Sequence, residues 1–146
     1  MRRLLGVLRQ GEAPALAPQP GLDALPGLVE AMREAGLEVE LRIEGEPRPL
    51  PAGLDISAYR IIQEALTNTL NHARASRVDV RLDYGDVIGI EVVDDGVGAK
   101  ANGDGGHGLV GMRERVALYR GELEAGPREG RGYVVRARLP VEAVPS

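Results

Sequence analysis

The chain has 146 residues, 43% apolar and 27% charged, with a net charge of −4 and no cysteine. That is about one domain's worth of chain, at ~100–200 residues per domain, and enough to bury roughly 68–70% of its unfolded surface unaided. The missing cysteines exclude disulfide frameworks, thiolate zinc sites and cysteine nucleophiles, and two histidines, His72 and His107, are too few for a histidine-rich metal centre. The acidic balance argues against nucleic acid as a partner.

No apolar run approaches the roughly 18–20 residues that span a bilayer. The opening Met1–Leu8 stretch is cut by Arg9 before it reaches signal-peptide length. These features predict a soluble, cytoplasmic, single-domain stretch with no direct membrane contact of its own, whether or not the full-length protein is membrane-anchored. Within residues 1–10, Met1, Leu4, Leu5 and Leu8 recur at helical spacing. Ten residues do not hold a helix alone, since isolated helices below ~12–15 residues are marginal. The segment is therefore a frayed terminus, a helix packed on something, or the tail of a longer helix. Gly11 to Pro20, with Pro14, Pro18 and Pro20, reads as a stiff linker.

From Gly21 the patterning is continuous. Pro26 to Ala35 predicts a helix with Leu28, Val29 and Met32 inward, stopped by Gly36. Val39, Leu41 and Ile43 alternate with charges, the pattern of a half-buried strand. Asp55 is placed to cap a long helix reaching about Ala75. Val78, Val80, Leu82 and Tyr84 alternate with charge, and Val87 to Val93 follows Gly85-Asp86, which predicts a hairpin. A glycine-rich loop spans Asp94 to Gly108. Leu109, Met112, Val116 and Tyr119 mark one face of a helix stopping at Gly121, and Tyr133 to Leu139 alternates as a last strand. Charge on one strand face and aliphatics on the other suit an α+β fold. The expected architecture is a two-layer sandwich with a mixed, mostly antiparallel sheet covered on one face by about three helices.

Three constellations stand out. On the long helix, Tyr59, Ile62, Leu66 and Leu70 form a core stripe, while Arg60, Glu64, Asn68 and His72, with Asn71 beside them, form a polar one. A polar stripe is ordinarily a solvated face, yet asparagine is a mediocre helix former. Its carbonyl suits a Mg²⁺ ion whose other ligands are waters and phosphate oxygens. Next, Val92-Val93-Asp94-Asp95-Gly96-Val97-Gly98 ends a strand, with a plain turn as the simplest account. Finally, Gly105-Gly106-His107-Gly108-Leu109 opens directly into a helix, where free N–H groups favour anions. Gly106-x-Gly108-x-x-Gly111 also matches a dinucleotide fingerprint. That fingerprint belongs in a tight turn straight after a strand, and here more than ten residues intervene.

Taken in order, Glu64-x-x-x-Asn68, Asp94-x-Gly96-x-Gly98 and Gly106-x-Gly108 resemble the N box and two glycine boxes of the GHKL ATP-binding superfamily. Gln63 to Asn68 with His72-Ala73, Gly106 to Arg115, and the ending Gly130 to Pro140 resemble the catalytic domain of NarL-type sensor histidine kinases. The resemblance covers about 21–140 and implies the GHKL (Bergerat) fold.

By that resemblance, Asp94 accepts a hydrogen bond from the exocyclic amine of adenine. A charged acceptor contributes about 1.5–3 kcal/mol, which favours ATP over GTP roughly ten- to a hundredfold. Gly96 and Gly98 let base and ribose sit against backbone. Asn68 is matched to the Mg²⁺ ligand, and Glu64 supports the ion and its waters, although in related hydrolytic ATPases the equivalent glutamate activates water. Residues 99–107 correspond to the ATP lid, which includes Lys100, the sole lysine, and His107. Gly106, Gly108 and Leu109 face the phosphate chain, with Asn71 and His72 beside it. Asn71 departs from the family's lysine or arginine, and Tyr133 stands where many relatives carry threonine.

The resemblance also supplies partners. Both histidines lie inside nucleotide motifs, so the phosphoacceptor histidine belongs elsewhere. Residues 1–20 are expected to be the end of a dimerisation and phosphoacceptor helix plus a linker, and 21–146 the ATP-binding domain. The expected partners are ATP and ADP, that phosphoacceptor domain and a response regulator. Without the dimerisation domain the chain is expected to be a monomer, and to turn over little. The rivals are an anti-sigma-factor-like serine kinase, a hydrolytic ATPase and a degenerate binding module.

Overall fold

A computed structural model describes residues 19–72, 75–96 and 106–141; the side chains of His72 and of residues 106–108 lie outside what is described. The elements run α1 (Leu25–Glu34, after a short 3-10 turn at Leu22–Ala24), β1 (Glu38–Glu44), α2 (Ala52–His72), β2 (Arg77–Asp83), β3 (Val87–Asp94), α3 (Gly106–Leu118), β4 (Glu122–Pro127) and β5 (Tyr133–Pro140). The five strands form one sheet in the order β1-β2-β3-β5-β4, which places β3 at its centre. Strands β1 and β2 are parallel, joined through α2, and every other pairing is antiparallel. The α+β expectation is met, with the hairpin at Gly85-Asp86 as anticipated.

Alternation builds the two layers. On β3, Ile88, Ile90, Val92 and Asp94 are buried while the residues between them are not. Val78, Val80 and Leu82 of β2 and Val135, Ala137 and Leu139 of β5 continue the same covered face. A strand's side chains alternate between faces, so the intervening residues form the open one. Helix α1 lies over β1, α2 over the middle of the sheet, and α3 over β4 and β5, with α2 and α3 packed on each other. Ile61, Ile62, Ala65 and Leu66 of α2 are fully buried between the layers. At roughly 1.5–3 kcal/mol per fully buried aliphatic side chain, this stripe fixes α2 on the sheet.

Four details differ from the sequence expectation. Asp55 is not a cap; it lies inside the first turn of α2, and its carboxylate accepts the Leu22 backbone N–H at 3.1 Å, tying the entry turn to the helix. Leu70 is not core: it is 37% exposed, and the buried stripe passes through Thr69 instead. Strand β4 has no clear sequence signal, because only Leu123 and Ala125 alternate there and Gly126-Pro127 looks like a turn. Its strand state comes from pairing with β5. Lastly, the turn after α3 holds Arg120, not a glycine, at positive φ (58°), and Gly121 donates its N–H to the Val116 carbonyl at 2.9 Å. Gly121 is needed for space, since a Cβ there would meet the Arg138 carbonyl oxygen of β5.

Candidate functional site

Two apolar stripes each end in a polar residue, and the two meet. The buried stripe of β3 ends in Asp94, which is only 4% exposed. The buried stripe of α2 passes from Ile62 through Ala65 and Leu66 to Thr69, which is 5% exposed. Thr69 Oγ1 lies 3.3 Å from Asp94 Oδ2 and 3.0 Å from the Ala65 carbonyl oxygen one turn back. The other carboxylate oxygen, Oδ1, accepts the Gly96 backbone N–H at 2.8 Å. A buried carboxylate is costly unless it is hydrogen-bonded, and these two donors are its partners among the described residues. Asp94 ends a strand, as its motif suggests, and that strand is the central one of the sheet.

The surroundings are equally defined. Tyr133 on β5 is the register partner of Asp94, so both side chains project from the same face. Burial, reinforced by the negative charge of Asp94, pushes the Tyr133 phenol up, while Arg113 of α3 opposes the shift. Gly132, at φ +100°, lets β5 begin directly against β3, because a Cβ there would run into the Asp94 carbonyl oxygen. Asp95 faces away and acts as a clip. Its Oδ1 accepts the Ser76 and Arg77 backbone N–H groups at 2.9 and 3.0 Å, and its Oδ2 the Ser76 hydroxyl at 2.9 Å. Those bonds, led by the one from Arg77, hold the Asp95 carboxyl below its ordinary value. The clip joins the start of β2 to the end of β3.

The remaining sequence-derived residues within the described range are carried by α2, the end of β3 and the start of α3. Glu64 and Asn68 are half-buried on α2, one turn apart, with Asn68 adjacent to Thr69; Asn71 is exposed in the last turn, and His72 closes the helix. Gly96 is buried beside Asp94. Gly106, His107 and Gly108 form the first turn of α3, and Leu109 packs partly against the core. Gly98, Lys100 and most of residues 99–107 lie outside the described residues, as do residues 1–18. No group of three or more metal-ligating carboxylates or histidines occurs among the described residues. A single half-buried amide with a carboxylate one turn away fits an ion that arrives with its own phosphate and water ligands.

Sequence reasoning missed Thr69, Asp95 and Gly132. For Thr69 a signal existed: it stands seven residues beyond Ile62, on the buried stripe.

A sandwich whose central strand ends in a buried carboxylate beneath one helix, with a second helix that opens on glycines packed against the first, has the layout of a GHKL nucleotide-binding domain. Residues 53–143 match the family described as "Histidine kinase-, DNA gyrase B-, and HSP90-like ATPase", and the chain belongs to that family. Membership implies ATP binding.

Relatives include the sensor histidine kinase LiaS of Bacillus subtilis, 30% identical over 97% of this chain and 39% of that protein. The nitrate/nitrite sensor protein NarX of Escherichia coli K12 is 32% identical over 92% of this chain and 23% of its own length. The signal transduction histidine-protein kinase/phosphatase DegS of Brevibacillus brevis is 31% identical over 73% and 28%. The chain thus spans at most about two fifths of these relatives. Among solved structures, the histidine kinase domain of the Erythrobacter litoralis EL346 blue-light activated histidine kinase superposes with TM-score 0.64 at 23% identity, covering 82% of this chain and 64% of that one. At that identity the likeness speaks for the fold.

Proposed function

We propose that this chain is the ATP-binding catalytic domain of a two-component sensor histidine kinase. It holds Mg-ATP and passes the γ-phosphoryl group to a histidine on a dimerisation domain, for relay to a response regulator. Family membership and relatives named as sensor histidine kinases support the class. The observation that carries the site is Asp94, a buried carboxylate with one oxygen held by Gly96 and the other turned to Thr69.

In this reading Asp94 Oδ2 accepts from the exocyclic amine of adenine. Gly96 and Gly98 admit the base and ribose, and Tyr133 walls the same end. Asn68 would hold Mg²⁺ through its amide oxygen, with Glu64 placed to orient waters beside it, and the bound ion would supply charge neutralisation for the phosphates. Backbone N–H groups of Gly106, Gly108 and Leu109 at the start of α3, together with Lys100, His107, Asn71 and His72, accompany the phosphate chain. Transfer forms a bond from an imidazole nitrogen to the γ-phosphorus as the bond to the ADP oxygen breaks, and the imidazole proton leaves to a base on the acceptor domain. Both histidines of this chain sit in α2 and α3 at the nucleotide motifs, so the acceptor is supplied by another domain.

No helix among the described residues is long and apolar enough to cross a membrane. The proposal places the domain in the cytoplasm, where ATP is.

Calorimetric titration with Mg-ATP tests the site. The chain should bind, and Asn68→Ala should bind with little dependence on Mg²⁺. For the reaction, adding a separately made phosphoacceptor domain should yield acid-labile phosphate on histidine. Rapid release of free phosphate with no labelled histidine would instead favour a hydrolytic ATPase.

A further inference from the structure

We propose that Thr69 is a positioning residue for nucleobase recognition. Its hydroxyl acts through the Asp94 carboxylate, setting the oxygen that receives the purine's exocyclic amine. The inference rests on the assignment of Asp94 made above.

Proton counting carries the argument. Thr69 Oγ1 lies 3.0 Å from the Ala65 carbonyl oxygen and 3.3 Å from Asp94 Oδ2. A hydroxyl has one proton, so it donates to one of these oxygens at a time. Ala65's carbonyl oxygen lies four residues back in α2, where the backbone N–H of Thr69 already serves it. It loses little when the hydroxyl turns away. Asp94 is different: Oδ1 is engaged by Gly96, and Oδ2 has Thr69 as its only donor among the described residues. The charged oxygen is the stronger acceptor, and leaving it unmet in a buried position is costly. The proton therefore goes to Oδ2.

The consequence is geometric. Each carboxylate oxygen offers about two lone-pair directions. With Gly96 on one oxygen and Thr69 on the other, the carboxylate plane is held at both ends. One direction on Oδ2 then remains for an incoming N–H. Without the hydroxyl, the plane is tethered through Oδ1 alone, and Oδ2 reorganises when the base arrives. The hydroxyl also has the alternative acceptor at Ala65, so it withdraws without being stranded if the amine competes for Oδ2.

The test compares two ligands, Mg-ATP and the Mg complex of purine riboside triphosphate, which lacks the exocyclic amine. Both are titrated into the 146-residue chain, Thr69→Val, Thr69→Ser and Asp94→Asn. Thr69→Val should weaken ATP binding about five- to thirtyfold and leave the amine-less analogue within about twofold of the parent. Thr69→Ser, which keeps the hydroxyl, should restore ATP binding. Equal weakening of both ligands by Thr69→Val, or none for ATP, overturns the inference and leaves Thr69 a packing residue. Should valine prevent folding, judged by far-ultraviolet circular dichroism, Thr69→Ala is held to the same outcomes. Asp94→Asn separates the two levels. If it lowers ATP binding relative to the analogue while Thr69→Val does not, only the Thr69 inference fails. If it lowers neither, the Asp94 assignment fails with it.

Discussion

The two faces of the sheet treat charge in opposite ways. On the open face, charges stand in rungs across the strands: Arg42, Arg81, Glu91, Arg136 and Glu124 share one register line from β1 to β4. Arg136 bridges Glu91 at 2.7 Å and approaches Glu124 at 3.8 Å, and Arg77 gathers Glu38, Glu40 and Asp79. Water and salt screen these pairs. On the helix-covered face, Asp94 is the sole buried ionisable acid or base among the described residues apart from Tyr59. A charge retained in an otherwise aliphatic layer opposes stability and therefore points to a ligand. The open face keeps the sheet wet; the covered face carries the carboxylate proposed above for nucleotide recognition.

The contrast breaks first if the covered layer is not what holds the fold. Leu66→Ala, at a fully buried position between α2 and the sheet, should cost about 2–5 kcal/mol in denaturant unfolding. A loss near zero would mean α2 is not packed as described. The covered-face carboxylate comes next. Asp94→Asn should weaken ATP binding about ten- to a hundredfold, the worth of a charged hydrogen bond of about 1.5–3 kcal/mol. Its melting temperature should stay level or rise, because a buried charge is removed. Calorimetry and thermal melts read the two effects separately.

Asp95 sharpens the comparison through pH. Its folded pKa is depressed from the ordinary 3.8, so the stability it confers is present above that value. That contribution is lost as pH falls below 3.8 through the folded value. Asp95→Asn should therefore be less stable than the parent at neutral pH, and the gap should close in the acid limb of a urea-unfolding series. A gap that persists undiminished to strongly acid pH would deny the carboxylate its clip role. The smallest effect belongs to the open face. Arg136→Ala should shift stability by less than about 1 kcal/mol, and less still at high salt.

Most of the architecture was legible because its signal is periodic. Strict alternation in Val78–Leu82 and Ile88–Val92 predicts strands, and Gly85-Asp86 between them predicts the hairpin. β4 was not legible, since six residues ending in Gly-Pro carry too little alternation to outweigh turn composition. Leu70 and Asp55 were misplaced for a related reason. Spacing by four picks out a helix face, but the width of the buried face and the partner of a first-turn carboxylate depend on what lies across from them. In the site, Asp94, Gly96, Asn68 and the glycines opening α3 were read from motif order. Thr69 carries no such motif, and a threonine in a helix has no visible role until its hydroxyl has a partner.

What the chain's own order of residues determined is the set of elements apart from β4, the sandwich they form and the family of nucleotide site they carry. These follow from local periodicity and short motifs, which act within a few residues. Tertiary structure alone decided which polar groups meet: Thr69 with Asp94 across 25 positions, Ser76 with Asp95 across 19, and Leu22 with Asp55 across 33. Such contacts form between groups that only packing brings within 3.5 Å. No pattern along the sequence encodes that distance, because it is set by how the sheet and α2 come together.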